Sequence, residues 1–168
     1  MKKVAQFFKV SFDQFSKAYM DDFGGSSEEI RKVYDAINLP RRATSGSAGY
    51  DFYTPVDIKL EPGKTIKIPT GIRAKMDEDY VLMIFPRSGL GFKYRLQLNN
   101  TVGIIDSDYY DSDNEGHIFI KITNDSNEGK TVDITAGSGF AQGLFIPYGI
   151  TVDDDTDAAR NGGFGSTG

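Results

Sequence analysis

The residues best suited to chemistry lie in one run, Asn99-Asn100-Thr101-Val102-Gly103-Ile104-Ile105-Asp106-Ser107-Asp108-Tyr109. Val102, Ile104 and Ile105 belong to a half-buried strand, and Gly103 is a point where backbone can approach a ligand or bend sharply. An aspartate at the end of such a strand is held rigidly, as a base that activates water must be. Tyr109, three positions on, could wall one side of a pocket. The same run also reads as an ordinary strand leaving through an Asp-Ser-Asp turn.

Other candidate motifs fail on their own chemistry. Gly163-Phe164-Gly165-Ser166-Thr167-Gly168 fits G-x-G-x-x-G, but no helix follows to meet a pyrophosphate. Asp111-Ser112-Asp113-Asn114-Glu115-Gly116 starts like an EF-hand loop, yet the position of the bidentate glutamate is Ile122. His117 is the only histidine and cysteine is absent, which leaves no zinc site with the usual ligands and no disulfide. No nucleophile elbow accompanies His117, so a Ser-His-Asp triad is not supported.

The elements that must hold these residues fall into two regions of one domain, expected from 168 residues with 39% hydrophobic and 26% charged content. Residues 1–44 read as an opening strand at 4–10 followed by a helical hairpin. Ser11 with Gln14 and Ser26 with Glu29 fit the capping-box pattern. Phe12, Phe15 and Tyr19 form one apolar stripe, and Ile30, Val33, Tyr34 and Ile37 a second. From residue 45 to 152 short strands take over: 56–60 and 65–68 joined by Glu61-Pro62-Gly63-Lys64 as a hairpin, then 71–75, 80–85, 96–98, 117–123, 131–134 and 143–147. The expected fold is mainly β, an antiparallel jelly roll or sandwich. Residues 153–168, acidic and then glycine-rich, read as a mobile arm.

Composition narrows the function. A net charge of −5 argues against a nucleic-acid surface, which needs a basic stripe. No run approaches the ~18 apolar residues of a membrane span, and no secretory leader is visible, so a cytoplasmic setting is expected. An anionic ligand would need local cations or an accompanying divalent metal.

Five segments occur in fixed order: Ser47-Ala48-Gly49-Tyr50-Asp51-Phe52, Pro86-Arg87-Ser88-Gly89-Leu90-Gly91, Gly103-Ile104-Ile105-Asp106-Ser107-Asp108-Tyr109, Phe140-Ala141-Gln142-Gly143-Leu144-Phe145 and Gly162-Gly163-Phe164-Gly165-Ser166-Thr167-Gly168. The ordered set closely resembles the motifs of the homotrimeric deoxyuridine triphosphatases (dUTPases), a jelly-roll or β-clip fold. The resemblance implies hydrolysis of dUTP to dUMP and pyrophosphate with Mg²⁺, which would limit uracil in DNA and supply dUMP for thymidylate synthesis. It makes Asp106 the residue that orients and deprotonates water, and Tyr109 the residue packed on the deoxyribose. Asn100 and the backbone to Gly103 would read the uracil edge. Arg87, Ser88, Gly89, Gln142 and Arg160 would meet phosphate, and Asp51 the Mg²⁺ through water, the metal being held mainly by the phosphates. Phe164 would stack over the base while Gly165, Ser166 and Thr167 close on the terminal phosphate. The resemblance also implies sites shared by three subunits: the first, second and fourth motifs from one, the third from another, the last from the third.

The chain departs from the family in three places. Arg160 stands two residues before the Gly-Gly pair, where an arginine three before is common. Residues 110–116 are inserted after Tyr109. Gly139 replaces a basic residue two before Ala141-Gln142. The dCTP deaminases share the fold and part of the motif set, but Ser107-Asp108-Tyr109 after Asp106 and the complete last motif favour the pyrophosphohydrolase. A regulatory protein that binds a partner through its N-terminal helices is the other alternative, and nothing in those residues names the partner.

Overall fold

The computed structural model describes residues 1–160 and 162. Strands β1 (Ala5–Lys9), β2 (Tyr50–Tyr53), β3 (Ile58–Leu60), β4 (Thr65–Pro69), β5 (Ile72–Met76), β6 (Tyr80–Pro86), β7 (Leu96–Leu98), β8 (Gly103–Ile105), β9 (Phe119–Asn124), β10 (Val132–Ile134) and β11 (Gly139–Pro147) dominate, with helices α1 (Phe12–Phe23), α2 (Ser27–Asp35) and α3 (Ser88–Tyr94). Every strand pairing is antiparallel. The sheets run β2-β11-β6-β8, β4-β9-β7, β1-β5 and β3-β10. Inward-facing Phe52, Ile58, Ile68, Leu82, Ile118, Ile120, Ile122 and Phe140 fill the space between them. Each such side chain contributes roughly 1.5–3 kcal/mol by leaving water.

Both helix starts form where the serines place them, but by different means. Ser26 and Glu29 make a local reciprocal cap: the Ser26 N–H donates to Glu29 Oε2 at 2.7 Å, and the Glu29 N–H to Ser26 Oγ at 3.3 Å. Ser11 Oγ accepts from the Gln14 N–H at 3.2 Å, yet the return bond of the box comes from Glu115, not Gln14. Phe15 and Ile30 are fully buried, so both apolar stripes face the barrel. Among the described residues no helix is long and apolar enough to cross a membrane.

Three local expectations change. The Glu61–Lys64 turn closes, with the Lys64 N–H donating to the Glu61 carbonyl at 3.1 Å, but β3 and β4 do not pair across it. β3 joins β10 and β4 joins β9 instead. The turn is drawn to the end of β9, where the Gly63 N–H donates to the Asn124 carbonyl at 2.7 Å and the Asn124 N–H to the Lys64 carbonyl at 3.0 Å. β11 begins at Gly139 rather than at 143, because its glycines serve packing: a Cβ on Gly143 would lie 2.8 Å from Leu82 Cδ1 and 2.9 Å from Phe52 Cε2. The third change is α3, whose two glycines hid it; it closes at Arg95 in the left-handed region, φ 52°.

Candidate functional site

β6 is the ruler of the site. Its C-terminal end delivers Pro86 to the start of α3, with Arg87 at the N-cap and Ser88 and Gly89 in the first turn. Beside it runs β11, whose Gln142 stands opposite Phe85 on one side and Asp51 of β2 on the other. Arg87, Ser88, Gly89, Asp51 and Gln142 are thus gathered by sheet register at one end.

That end is tied together within the chain. Arg87 Nε lies 3.2 Å from Asp51 Oδ1, and its Nη1 donates to the Gly139 carbonyl at 3.3 Å. Gln142 Nε2 donates to the Pro86 carbonyl at 3.2 Å. Two glycines make room. A Cβ on Gly139 would sit 2.9 Å from Arg87 Nη1, and one on Gly49 would sit 2.7 Å from Gln142 Oε1. The absence of a basic side chain at 139 therefore has a physical counterpart, since the Arg87 guanidinium rests in that space. Neither glycine is marked by its type alone as part of a site.

β8 runs antiparallel to β6, with Gly103 opposite Ile84 and Ile105 opposite Leu82. Asp106 continues this register to the Val81 level, about six residues and ~20 Å along β6 from Arg87. Asn100 and Thr101 form the turn that enters β8, and Thr101 takes φ 68°. Gly103 is buried with its Cα facing the core, where a Cβ would come 3.1 Å from Ile84 Cβ. Its small size is required by packing inside the chain.

After Asp106 the chain turns into a 3-10 helix, Ser107–Asp111, where a simple Asp-Ser-Asp turn is expected from sequence. The Asp106 side chain makes no capping bond to that helix. Its Oδ2 accepts from Arg160 Nη2, while Arg160 Nε donates to Asp108 Oδ1 at 2.8 Å. One guanidinium thus bridges two carboxylates that remain about half exposed at 51% and 56%. Arg160 reaches the Asp106 of its own chain, whereas the expectation from the resemblance puts the last motif at another subunit's site. Phe164, Gly165, Ser166 and Thr167 lie outside the described residues.

Tyr109 is buried beneath these carboxylates. Its hydroxyl donates to the His117 carbonyl at 2.7 Å and accepts from Asn114 Nδ2 at 2.8 Å. Burial pushes its pKa above the usual tyrosine range, so it stays neutral. His117, at 0% exposure, lies just before β9 rather than inside it, and its Nε2 accepts from the Gly71 N–H at 2.9 Å. Burial lowers its pKa to about 4. It supports the fold as a neutral side chain. A cavity of about 950 Å³ opens over this end, lined in part by Lys75, Val81, Ile104, Asp106, Asp108 and Arg160.

Among the described residues no three His, Cys, Asp or Glu side chains converge as a metal cage. Asp51, a lone carboxylate beside Arg87, fits an outer-sphere contact to a phosphate-held Mg²⁺ better than direct chelation.

Comparison with known proteins assigns the frame. The dUTPase family model matches residues 35–168. The deoxyuridine 5'-triphosphate nucleotidohydrolase of Lactococcus lactis is 42% identical over 145 residues, covering 84% of this chain and 95% of its own. The crystal structure of the Streptococcus mutans dUTPase aligns at 38% identity and TM-score 0.59 over 67% of this chain and 88% of that one. The dUTPase of Staphylococcus aureus phage phi11, described with a structural Mg(II) ion, shares the fold at TM-score 0.63 and 20% identity over 93% of this chain and 98% of that one. With the family model matching residues 35–168 and the Lactococcus lactis relative 42% identical over 84% of the chain, this chain belongs to the dUTPase family.

Proposed function

We infer that the family reaction, dUTP and water giving dUMP and pyrophosphate, runs at a site that Arg87 of one chain and Asp106 of another complete together. The observation that carries this reading is the β6 register. It holds the two residues at opposite ends of one strand, ~20 Å apart, while a base, its water and the phosphorus under attack must lie within ~3–3.5 Å of their neighbours. A homotrimer with shared sites resolves the separation.

Asp106 accepts a proton from a water lined up with the α-phosphorus. The water oxygen bonds to phosphorus as the bond to the bridging oxygen of the β-phosphate breaks, and pyrophosphate leaves with that electron pair. Arg87 offers a planar fork of N–H donors to the phosphates. Ser88 and Gly89, in the first turn of α3, add a hydroxyl and backbone N–H groups without intrahelical partners. Gln142, held from behind by Pro86, adds an amide donor. Arg160 leaves Asp106 and Asp108 to meet phosphate when substrate arrives. Mg²⁺, when bound with the triphosphate and reached by Asp51 through water, supplies charge neutralisation and fixes the phosphate conformation.

Asn100 and the backbone to Gly103 read the uracil edge, which rejects cytosine by leaving buried polar groups unpaired and thymine by its methyl group. Tyr109, covered here by the Arg160 guanidinium 5.8 Å from its ring, packs against the deoxyribose once Arg160 leaves, and leaves no room for a 2′-hydroxyl. Phe164, Gly165, Ser166 and Thr167 cover base and phosphates and exclude water. The deciding experiment is pyrophosphate release from dUTP, dCTP, dTTP and UTP with and without Mg²⁺. Release from dUTP alone, dependent on Mg²⁺, is expected; ammonia release from dCTP would move the chain to the deaminase branch.

A further inference from the structure

Residues 110–116 carry four acidic or amide side chains beside the site; Asp111 lines the cavity with Asp106, whereas Glu115 reaches away from it to the start of α1. Glu115 Oε1 accepts from the Ser11 hydroxyl at 2.6 Å and Oε2 from the Ser11 N–H at 2.7 Å. Ser11 is the N-cap of α1, so a residue 104 positions away completes that cap. These bonds hold the Glu115 carboxyl below the usual glutamate range. The insert grips β1 as well, through Tyr110, whose ring meets Phe8 edge-on at 5.9 Å and lies under the Arg73 guanidinium at 3.6 Å.

The other side of the same insert holds the segment that carries Asp106 and Tyr109. Asn114 Nδ2 donates to the Tyr109 hydroxyl, and Ser112 Oγ lies 2.7 Å from the Tyr109 carbonyl. The backbone folds back so closely that a Cβ on Gly116 would sit 2.7 Å from both the Tyr109 carbonyl oxygen and Tyr110 Cα. Glu115 and Gly116 both take left-handed φ, 58° and 68°, and only at Gly116 is that free of steric cost.

We propose that residues 110–116 are a strap that makes the α1 N-terminus a positioning element for the site, with Glu115 its fastener and Asn114 the hand on Tyr109. This rests on the reading that Tyr109 faces the sugar. Glu115 acts through Tyr109 and touches no substrate. Loosening the strap at Ser11 should therefore reach the sugar filter, which a mere stability device would not do.

The test compares two serine–glutamate caps of like chemistry. Glu115→Ala, Glu115→Gln and Ser11→Ala are set against Glu29→Ala, whose cap on α2 is local. Hydrogen exchange of the amides of residues 107–112 is measured alongside kcat/KM for dUTP and UTP. Glu115→Ala and Ser11→Ala should each speed exchange there and lower the dUTP/UTP ratio about tenfold, the scale of a small misplacement of a positioned group. The double variant should do no more than the worse single, and Glu115→Gln, which keeps an acceptor, should recover part of the ratio. Glu29→Ala should lower Tm with the ratio and the exchange unchanged. The strap falls if Glu115→Ala lowers Tm alone, as Glu29→Ala does. If the unsubstituted chain does not hydrolyse dUTP, the functional reading falls separately, and exchange at 107–112 alone decides whether the strap exists.

Discussion

The two ends of β6 are built on opposite plans. At the Arg87 end the polar groups are satisfied by one another: Arg87 on Asp51 and the Gly139 carbonyl, Gln142 on the Pro86 carbonyl, with Gly49 and Gly139 leaving space for both side chains. At the Asp106 end the support is beneath and the chemistry is on top. Tyr109 and His117 are locked in the core, whereas the Asp106 and Asp108 carboxylates stand half exposed under one guanidinium and beside a large cavity. The first end is a closed polar cluster whose groups bond one another, and the second is a rigid post with two carboxylates facing open space. On the proposed function the two, held a strand's length apart, would be halves of different sites.

The largest effect should come from breaking the post. Asp106→Asn keeps the shape and removes the base, so the chain should fold and bind dUTP while kcat falls about 10²–10⁴-fold, measured by pyrophosphate release with binding followed calorimetrically. Near-normal turnover would remove Asp106 from its role. The comparison itself is tested by mixing. Arg87→Ala and Asp106→Asn chains, each nearly inactive, should regain activity when unfolded and refolded together. Random threefold assembly leaves on the order of a quarter of sites with both residues intact. If one chain held a whole site, mixing would restore nothing. Arg87→Lys is milder: charge survives but the planar fork is lost, so KM for dUTP should rise about tenfold with kcat less changed.

The two ends also differ in how far their residues could be read from sequence. Asp106 and Arg87 lie in motifs whose order alone points to the family, and Ser26 with Glu29 declares its helix because both partners are within one turn. What stayed hidden is set by distance along the chain. Glu115 belongs to the insert after Tyr109, and nothing near it in sequence shows that its carboxylate caps a helix beginning at Phe12. The Glu61–Lys64 turn carried hairpin chemistry, but the end of β9 claimed its backbone groups, so local periodicity gave the strands and not their partners. Gly139 reads as a missing cation in sequence, whereas in the fold the Arg87 side chain occupies the space beside it. α3 carries no helical periodicity that sequence could show, because two of the seven residues in Ser88–Tyr94 are glycines.

The smallest expected effect separates the two ends by pH, because the buried imidazole lies beneath one of them. His117 Nε2 accepts the Gly71 N–H, so the neutral ring carries its proton on Nδ1, and protonation would break that bond and bury a charge. Burial, with Lys67 adding to it and Glu115 opposing, sets its pKa at about 4, against ~6.5 in an unfolded chain. The unfolded state therefore takes up the proton first as pH falls. The stability this residue contributes is complete above ~6.5 and is lost between there and about 4, by up to ~1.4 kcal/mol per pH unit. Glu115, whose folded pKa is depressed, weakens only at lower pH, as its carboxyl protonates. His117→Gln offers Gly71 an acceptor that does not titrate in this range. It should leave turnover near pH 7.5 unchanged and flatten the pH dependence of urea-unfolding free energy between 6.5 and 4.5 by about one proton. An unchanged slope would mean that the carboxylates, not the imidazole under Tyr109, set the acid limit of the Asp106 end.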